Sequence, residues 1–418
     1  SLEQVGRGRN ARDTDLDAGL DRVDDDGRID RIDDEDRRLD AGCAQGKGLL
    51  DRGDHELVRT AGHFLPLVQA VIEGAAARFD SFRVYAHREA DVSIRGAEVV
   101  PTFRRRIRRF QVAALCVRLL REEGTILFTT AHNSDFRGVL WAMLLVRRPR
   151  ARTVFLVHMH YPKQKTEAQL RGFARRRPDL LIVCPTPGCA ADMRRMGFCN
   201  VQKAPYPHSG ELMPPANHDG TPPHLLMPGV PRLDKGLGVV ADYAQRYASS
   251  ARVPLTVQVS SNHWNELAPG EREAIERLRR SGYPTLTLIE QHPDAGAYAA
   301  QFRGAIVLQP YEGELFAERI SGVTLDALRA GCPIIVTAGT WMARYVDQYG
   351  AGVTIEERSA PALHQAVARI MADLDGYRGA AARAGAALAA EQAMVPLAEL
   401  LTGEAGGPGQ RQLAPQPP

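Results

Sequence analysis

No stretch of this 418-residue chain approaches the roughly 18–20 uninterrupted apolar residues that a membrane-spanning helix needs. Its first residues show no basic segment followed by an apolar one, so a secretory leader is not expected. Cysteine is sparse. The six residues Cys43, Cys116, Cys184, Cys189, Cys199 and Cys332 are scattered and include no Cys-x-x-Cys, which argues against a disulfide framework and for a reducing cytoplasm. The Cys184, Cys189 and Cys199 group reads as small thiols rather than a zinc site, and no metal or other cofactor is expected. An excess of one charge is also missing: the formal net charge is +3, too little to imply nucleic acid, so any basic partner surface must be local. What remains is ordinary for a globular protein, 44% hydrophobic and 25% charged, with room for two or three domains.

Residues 1–54 differ from the rest. "DTDLDAGLDRVDDDGRIDRIDDEDRRLDAG" is Asp, Arg and Gly with sparse Leu and Ile and no period of either helix or strand. Such a segment has too little apolar surface to offset its ordering entropy, and is expected to be a disordered acidic and basic arm. The run "DRVDDDGRIDRI" lacks the closing Glu of a calcium loop. Out-of-frame translation of a GC-rich gene is an alternative origin for the arm, which the other reading frames would settle.

From residue 55 strands and helices alternate. "HELVRTAGHF" reads as strand, turn and helix start, "LPLVQAVIEGAAARF" as a helix and "FRVYAH" as a strand. "FRRRIRRFQVAALCVRLLRE" reads as a helix with Phe103, Ile107, Phe110, Ala114 and Val117 on its apolar stripe. Further pairs run to residue 207, and 208–223, "HSGELMPPANHDGTPP", has the Pro, Gly and polar content of a linker. The alternation restarts at "HLLMPGV" and continues to about residue 401, before a Gly, Pro and Gln tail at 402–418 expected to be disordered. The expected fold is α/β: two Rossmann-like domains, 55–207 and 224–401, facing a cleft, with ligands at the carboxyl ends of the strands.

Two loops of the second domain carry chemistry. "PGVPRLDKGLG" follows its first strand and puts Gly229, Arg232, Lys235 and Gly236 at that strand's carboxyl end. A diphosphate suits such a pair, because guanidinium binds phosphate as a fork and ammonium as a point charge; a surface turn with two solvated cations would read the same. "YEGELFAERISGVTLDALRAGCPIIV" puts Glu318 in a loop and Asp326 about one turn inside a helix that opens near Gly322. The helix N-terminus offers N–H groups to anionic oxygens, and the carboxylates are acceptors for sugar hydroxyls. A solvated Glu318 and an Asp326 that only favours the helix dipole are the plainer alternative.

Taken together, "GVPRLDKG", "YEGE…ERISGVTLDALRAGCPIIV" and "GAGVTI" resemble the carboxyl half of retaining glycosyltransferases of family 4, which have the two-Rossmann-domain GT-B fold. The family pattern of Glu, seven residues, Glu is here Glu318, seven residues, Asp326, and Gly-x-x-Arg-x-x-Lys-Gly is intact. The resemblance implies that Gly229, Arg232, Lys235 and Gly322 hold the donor diphosphate, Glu318 the donor sugar and Asp326 the ribose. It also implies a nucleoside-diphosphate sugar donor, a glycan, lipid-linked or small-molecule acceptor, and metal-independent transfer with retention. Gly62 and His63 in "AGHF" resemble the family's glycine turn in the first domain, and His132 in "TTAHNSDFRG" its histidine near the transferring sugar. His158 and His160, two apart on a strand, read as lining for the acceptor cleft or as buried strand residues. A catalytically inactive sugar-nucleotide binder and a sugar-nucleotide epimerase are the alternatives. The arginines at 104–106, 108 and 109, with others at 147, 148, 150 and 152, read as the solvated basic face of a core-facing helix, with attachment of an otherwise cytoplasmic protein at the inner face of an anionic membrane as the other reading.

Overall fold

A computed structural model describes residues 42–45, 48–51, 64–88, 93–104, 107–129, 133–158, 164–208, 213, 220–260, 267–391 and 395–403. The first lobe runs β1 (Gly42–Gln45), β2 (Gly48–Asp51), α1 (Phe64–Ala75), β3 (Arg83–His87), β4 (Glu98–Phe103), α2 (Arg108–Leu119), β5 (Gly124–Phe128), α3 (Asn133–Leu145), β6 (Ala151–Leu156), α4 (Gln164–Arg176), β7 (Leu181–Cys184), α5 (Pro187–Arg195) and β8 (Val201–Lys203). The second runs β9 (His224–Met227), α6 (Leu237–Arg246), β10 (Leu255–Gln258), α7 (Pro269–Arg279), β11 (Leu286–Ile289), α8 (Ala295–Ala300), β12 (Ala305–Gln309), α9 (Gly313–Phe316), α10 (Gly322–Arg329), β13 (Ile334–Thr337), α11 (Trp341–Tyr349), β14 (Gly352–Ile355), α12 (Ala360–Ala372), α13 (Leu374–Glu391) and α14 (Val395–Thr402).

The second sheet is wholly parallel, in the order β11-β10-β9-β12-β13-β14. Counted within the lobe this is 3-2-1-4-5-6, the doubly wound order whose crevice opens between the first and fourth strands. Its central strands are buried on both faces, so "AIVLQ" and "IIVT" read as continuous apolar runs without alternation. Helix starts are fixed locally: Ser321, Thr340 and Ser359 each accept a backbone N–H three residues on with their side-chain oxygen.

The first sheet has the order β4-β3-β2-β1-β5-β6-β7-β8, parallel except at β1, which pairs antiparallel with both β2 and β5. Thus β1 and β2 are strands within 1–54, the stretch that shows no period. Two four-residue strands joined by two residues offer too few positions for alternation to show. "HELVRTAGHF" lies outside the described residues apart from Phe64, and so does the tail beyond Gly403.

The helix read from "FRRRIRRFQVAALCVRLLRE" needs correction. Phe103 closes strand β4, and α2 begins only at Arg108. The buried face is Val112, Leu115, Cys116 and Leu119, while Ile107 and Phe110 of the expected stripe are 46% and 64% exposed. Both sets have helical spacing, and only packing decides between them. Helix α14, the last of the described helices, returns to the first lobe. Thr125 Oγ donates to Leu401 O at 2.8 Å, and Arg152 Nε donates to Leu400 O at 2.9 Å.

Candidate functional site

The loops after β9 and β12 meet at the crevice of the second sheet. Gly229 (φ 87°) and Gly236 (φ 86°) bracket the first loop in the left-handed region. At Gly236 a Cβ would stand 2.5 Å from Pro310 O, so only glycine lets the two loops touch. Glu312 N donates to Asp234 O at 2.8 Å across the same seam. Arg358 ties both loops from behind, donating to Pro310 O at 2.9 Å and Leu233 O at 3.1 Å. Gly229 N donates to Oε1 of buried Gln258 at 2.8 Å, and Gln258 Nε2 donates to Ser260 Oγ at 2.8 Å.

Cations gather here. Arg232 forks onto the Asp234 carboxylate, Nε to Oδ1 at 2.8 Å. Lys235 Nζ stands 6.0 Å from the centre of the Tyr311 ring. Buried Arg319 lies over Phe316 at 4.7 Å. Burial alone would raise the Asp234 carboxyl, but the Arg232 hydrogen bond and the charges of Arg232, Lys235 and Arg319 hold it below its ordinary value. Arg232, Lys235 and Arg319 thus all act on one ionised carboxylate near the start of α10.

The two carboxylates do different things. Glu318 Oε2 accepts from Gly188 N, in the first turn of α5 in the first lobe, at 3.0 Å, and Oε1 pairs with Arg344. Arg344 also donates to Ala317 O at 2.9 Å, which fixes the guanidinium. Asp326 is set back: Tyr298 Oη donates to its Oδ2 at 2.9 Å, and His208 Nε2 lies 3.2 Å from its Oδ1. Burial, and then the Asp326 charge, push the Tyr298 phenol well above its ordinary value, so it stays a donor. Gln309, fully buried under this loop, accepts from Thr324 Oγ at 2.8 Å and so locks β12 to α10.

From the first lobe, His158 lies two residues past β6 rather than on the strand, buried edge-on to Tyr206 at 5.2 Å. Burial, then Asp326, raise the Tyr206 phenol. Cys189 donates to Val157 O at 3.1 Å, and its hydrogen bond to Cys184, together with burial, keeps its thiol protonated.

No protein-family model matches the sequence, and no curated protein matches it. Solved structures do match in fold. A sucrose-phosphate synthase from Thermosynechococcus elongatus superposes with TM-score 0.63 at 15% identity, over 82% of this chain and 93% of that one. HepE of Anabaena, in complex with UDP and glucose, gives 0.63 at 13% identity over 85% and 97%. WaaG, a glycosyltransferase involved in lipopolysaccharide biosynthesis, gives 0.53 at 13% identity over 80% and 95%. The fold is GT-B.

In this GT-B chain Gly229, Arg232, Lys235, Gly322, Glu318 and Asp326 fall on the two loops and the helix that meet at the crevice. Gly322 opens α10 directly after the Ser321 cap. Gly62, His63, His132 and His160 lie outside the described residues. Five participants carry no sequence signal of their own: Gly188, Arg344, His208, Tyr298 and Arg358. Arg319 does stand beside Glu318 in the quoted motif, but a lone Arg in a loop has no spacing to mark it.

Proposed function

We propose that this GT-B protein transfers a sugar from a nucleoside-diphosphate donor to a glycan, lipid-linked or small-molecule acceptor. The observation that carries this reading is the convergence of Arg232, Lys235 and Arg319 with the start of α10 at the switch point of the second sheet. Positive charge and helix N–H groups aimed at one place suit a diphosphate, and would stabilise it as it leaves. That the HepE structure holds UDP and glucose in the same fold supports a nucleotide-sugar donor.

In this reading Arg232 and Lys235 grip the diphosphate, Glu318 the donor sugar and Asp326 the ribose. His132 acts with Glu318 near the transferring sugar, and Gly62, His63 and His158 belong to the acceptor side. Retention without a bound metal follows from the family resemblance, with the leaving phosphate assisting on the front face. The acceptor would be met at the inner membrane face, in the role of polysaccharide or lipid-linked glycan assembly.

Binding without transfer is a second reading, favoured by one feature: Arg232 is already engaged by Asp234, and Glu318 by Gly188 and Arg344. A thermal-shift panel of sugar nucleotides tests the shared donor site, since a ligand at 100 times its dissociation constant adds about 2.7 kcal/mol. Labelled donor then separates the readings by release or transfer of sugar. A panel in which no sugar nucleotide moves the midpoint would falsify both.

A further inference from the structure

Helices α2 and α3 lie side by side on one face of the first sheet. A Cβ built at Gly138 would stand 2.8 Å from Val112 Cγ1, so their backbones approach closely there. Their outer surface is apolar where solvent should favour polar residues. Phe110 is 64% exposed, Trp141 63%, Leu144 70% and Leu145 70%. Singly such residues need no explanation, but four on two adjacent helices do.

Arginine surrounds them. Arg121, Arg137, Arg147 and Arg148 are exposed, and among the described residues no carboxylate is paired with any of the four. The nearby acids are already engaged, Glu122 by Arg118 and Glu123 by Arg150. A chain whose formal net charge is only +3 therefore concentrates one sign of charge on this face. We infer that the outer face of α2 and α3 docks on an anionic lipid bilayer, with Trp141, Leu144 and Leu145 entering the interface and the arginines meeting the headgroups. Tryptophan and leucine beside arginine is the composition of interfacial helices, and the bordering charge is of the sign that anionic lipid complements.

β4 runs parallel to β7 through the intervening pairings, so α2 starts at the sheet edge where α5 also starts and meets Glu318. Phe110, in the first turn of α2, thus stands at the cleft end of this face, and Trp141, Leu144 and Leu145, in the last turns of the parallel helix α3, at its far end. Lipid contact itself does not depend on sugar transfer, so either can fail without the other.

The test is co-sedimentation of the full chain with vesicles of phosphatidylcholine alone and with added phosphatidylglycerol, at low and high salt. Binding is expected only with the anionic lipid, and to weaken as salt rises. The combined Arg121→Glu, Arg147→Glu, Arg148→Glu variant should lose binding by about a hundredfold, from about fivefold per arginine. The Trp141→Ser, Leu144→Ser, Leu145→Ser variant should also lose it, with thermal midpoint and solution mass unchanged. Binding that ignores lipid charge, no binding, or variants that bind like the parent would overturn the inference. So would a parent that is dimeric where the apolar variant is monomeric, because a second copy would then cover the face.

Discussion

Glu318 and Gly188 join the two lobes: the carboxylate Oε2 of the first accepts the backbone N–H of the second at 3.0 Å. A Cβ at Gly188 would sit 2.3 Å from Glu318 Cδ, so a larger residue there would push the carboxylate aside. The N–H belongs to the first turn of α5, whose dipole favours the negative charge. Glu318→Gln keeps the shape but removes the charge and should abolish transfer while nucleoside-diphosphate binding stays measurable. Gly188→Ala should displace the carboxylate and lower turnover on the order of a hundredfold, as misplacement by about an ångström does. Wild-type rates in both variants with labelled donor would show that Glu318 has another role.

The alternation of strands and helices, the two loops and the glycines between them were legible because each is local. "GVPRLDKG" and "ERISGVTLDALRAG" carry their spacing within a few residues, and sheet order brings them together. Partners from distant elements were not legible. Gly188 lies 130 residues before Glu318, and Leu233 lies 125 before Arg358. Neither belongs to a pattern that periodicity can reveal. The face of α2 failed for a different reason: two apolar stripes compete on one helix, and the outer one is the longer in sequence.

Arg232→Ala and Lys235→Ala should each weaken donor binding about ten- to a hundredfold, from roughly 1.5–3 kcal/mol for a charged hydrogen bond. Arg232 has the further task of bonding Asp234, so its loss should lower the thermal midpoint by more than that of Lys235, which acts on the same carboxylate through its charge. Titration of nucleoside diphosphate against each variant, followed by calorimetry, checks both parts. Unchanged affinity in both would remove the loop after β9 from the donor site.

Asp326 is held by Tyr298 at Oδ2, and His208 Nε2 stands 3.2 Å from Oδ1. Tyr298→Phe removes the bond at Oδ2 and leaves a largely buried carboxylate short of a donor, a loss of about 1–3 kcal/mol in stability. If Asp326 serves the ribose, Asp326→Asn should weaken nucleoside diphosphate while leaving inorganic diphosphate unaffected. Equal weakening of both ligands would assign Asp326 to the loop's architecture alone.

His224 predicts a pH effect. Burial lowers its imidazole below the ordinary 6.5, with backbone bonds to Gln301 and Pro222 opposing the shift in part. In the unfolded chain the ring takes up its proton first, so the unfolded state binds more protons as pH falls below about 6.5 and stability declines there. The decline stops once pH passes below the folded value. His224→Asn removes this contribution, and its thermal midpoint should fall less steeply than the parent's over the same range. Parallel curves would mean that the ring titrates alike in both states.

Gly236→Ala separates the crevice from the fold at large. The substitution meets two obstacles: a left-handed φ of 86° and a Cβ only 2.5 Å from Pro310 O. The backbone conformation alone disfavours a side chain by about 1–2 kcal/mol, and the collision must be relieved by moving one loop away from the other. Gly282→Ala is the control, because its φ is 69° but nothing lies within 4 Å of the added Cβ. Gly282→Ala should therefore lose only the conformational part of stability and keep its response to nucleoside diphosphate. Gly236→Ala should lose more stability and most of that response, because Lys235 and Asp234 move with the loop. Equal thermal midpoints and equal ligand shifts in the two variants would mean that the seam between the loops after β9 and β12 does not hold the donor site.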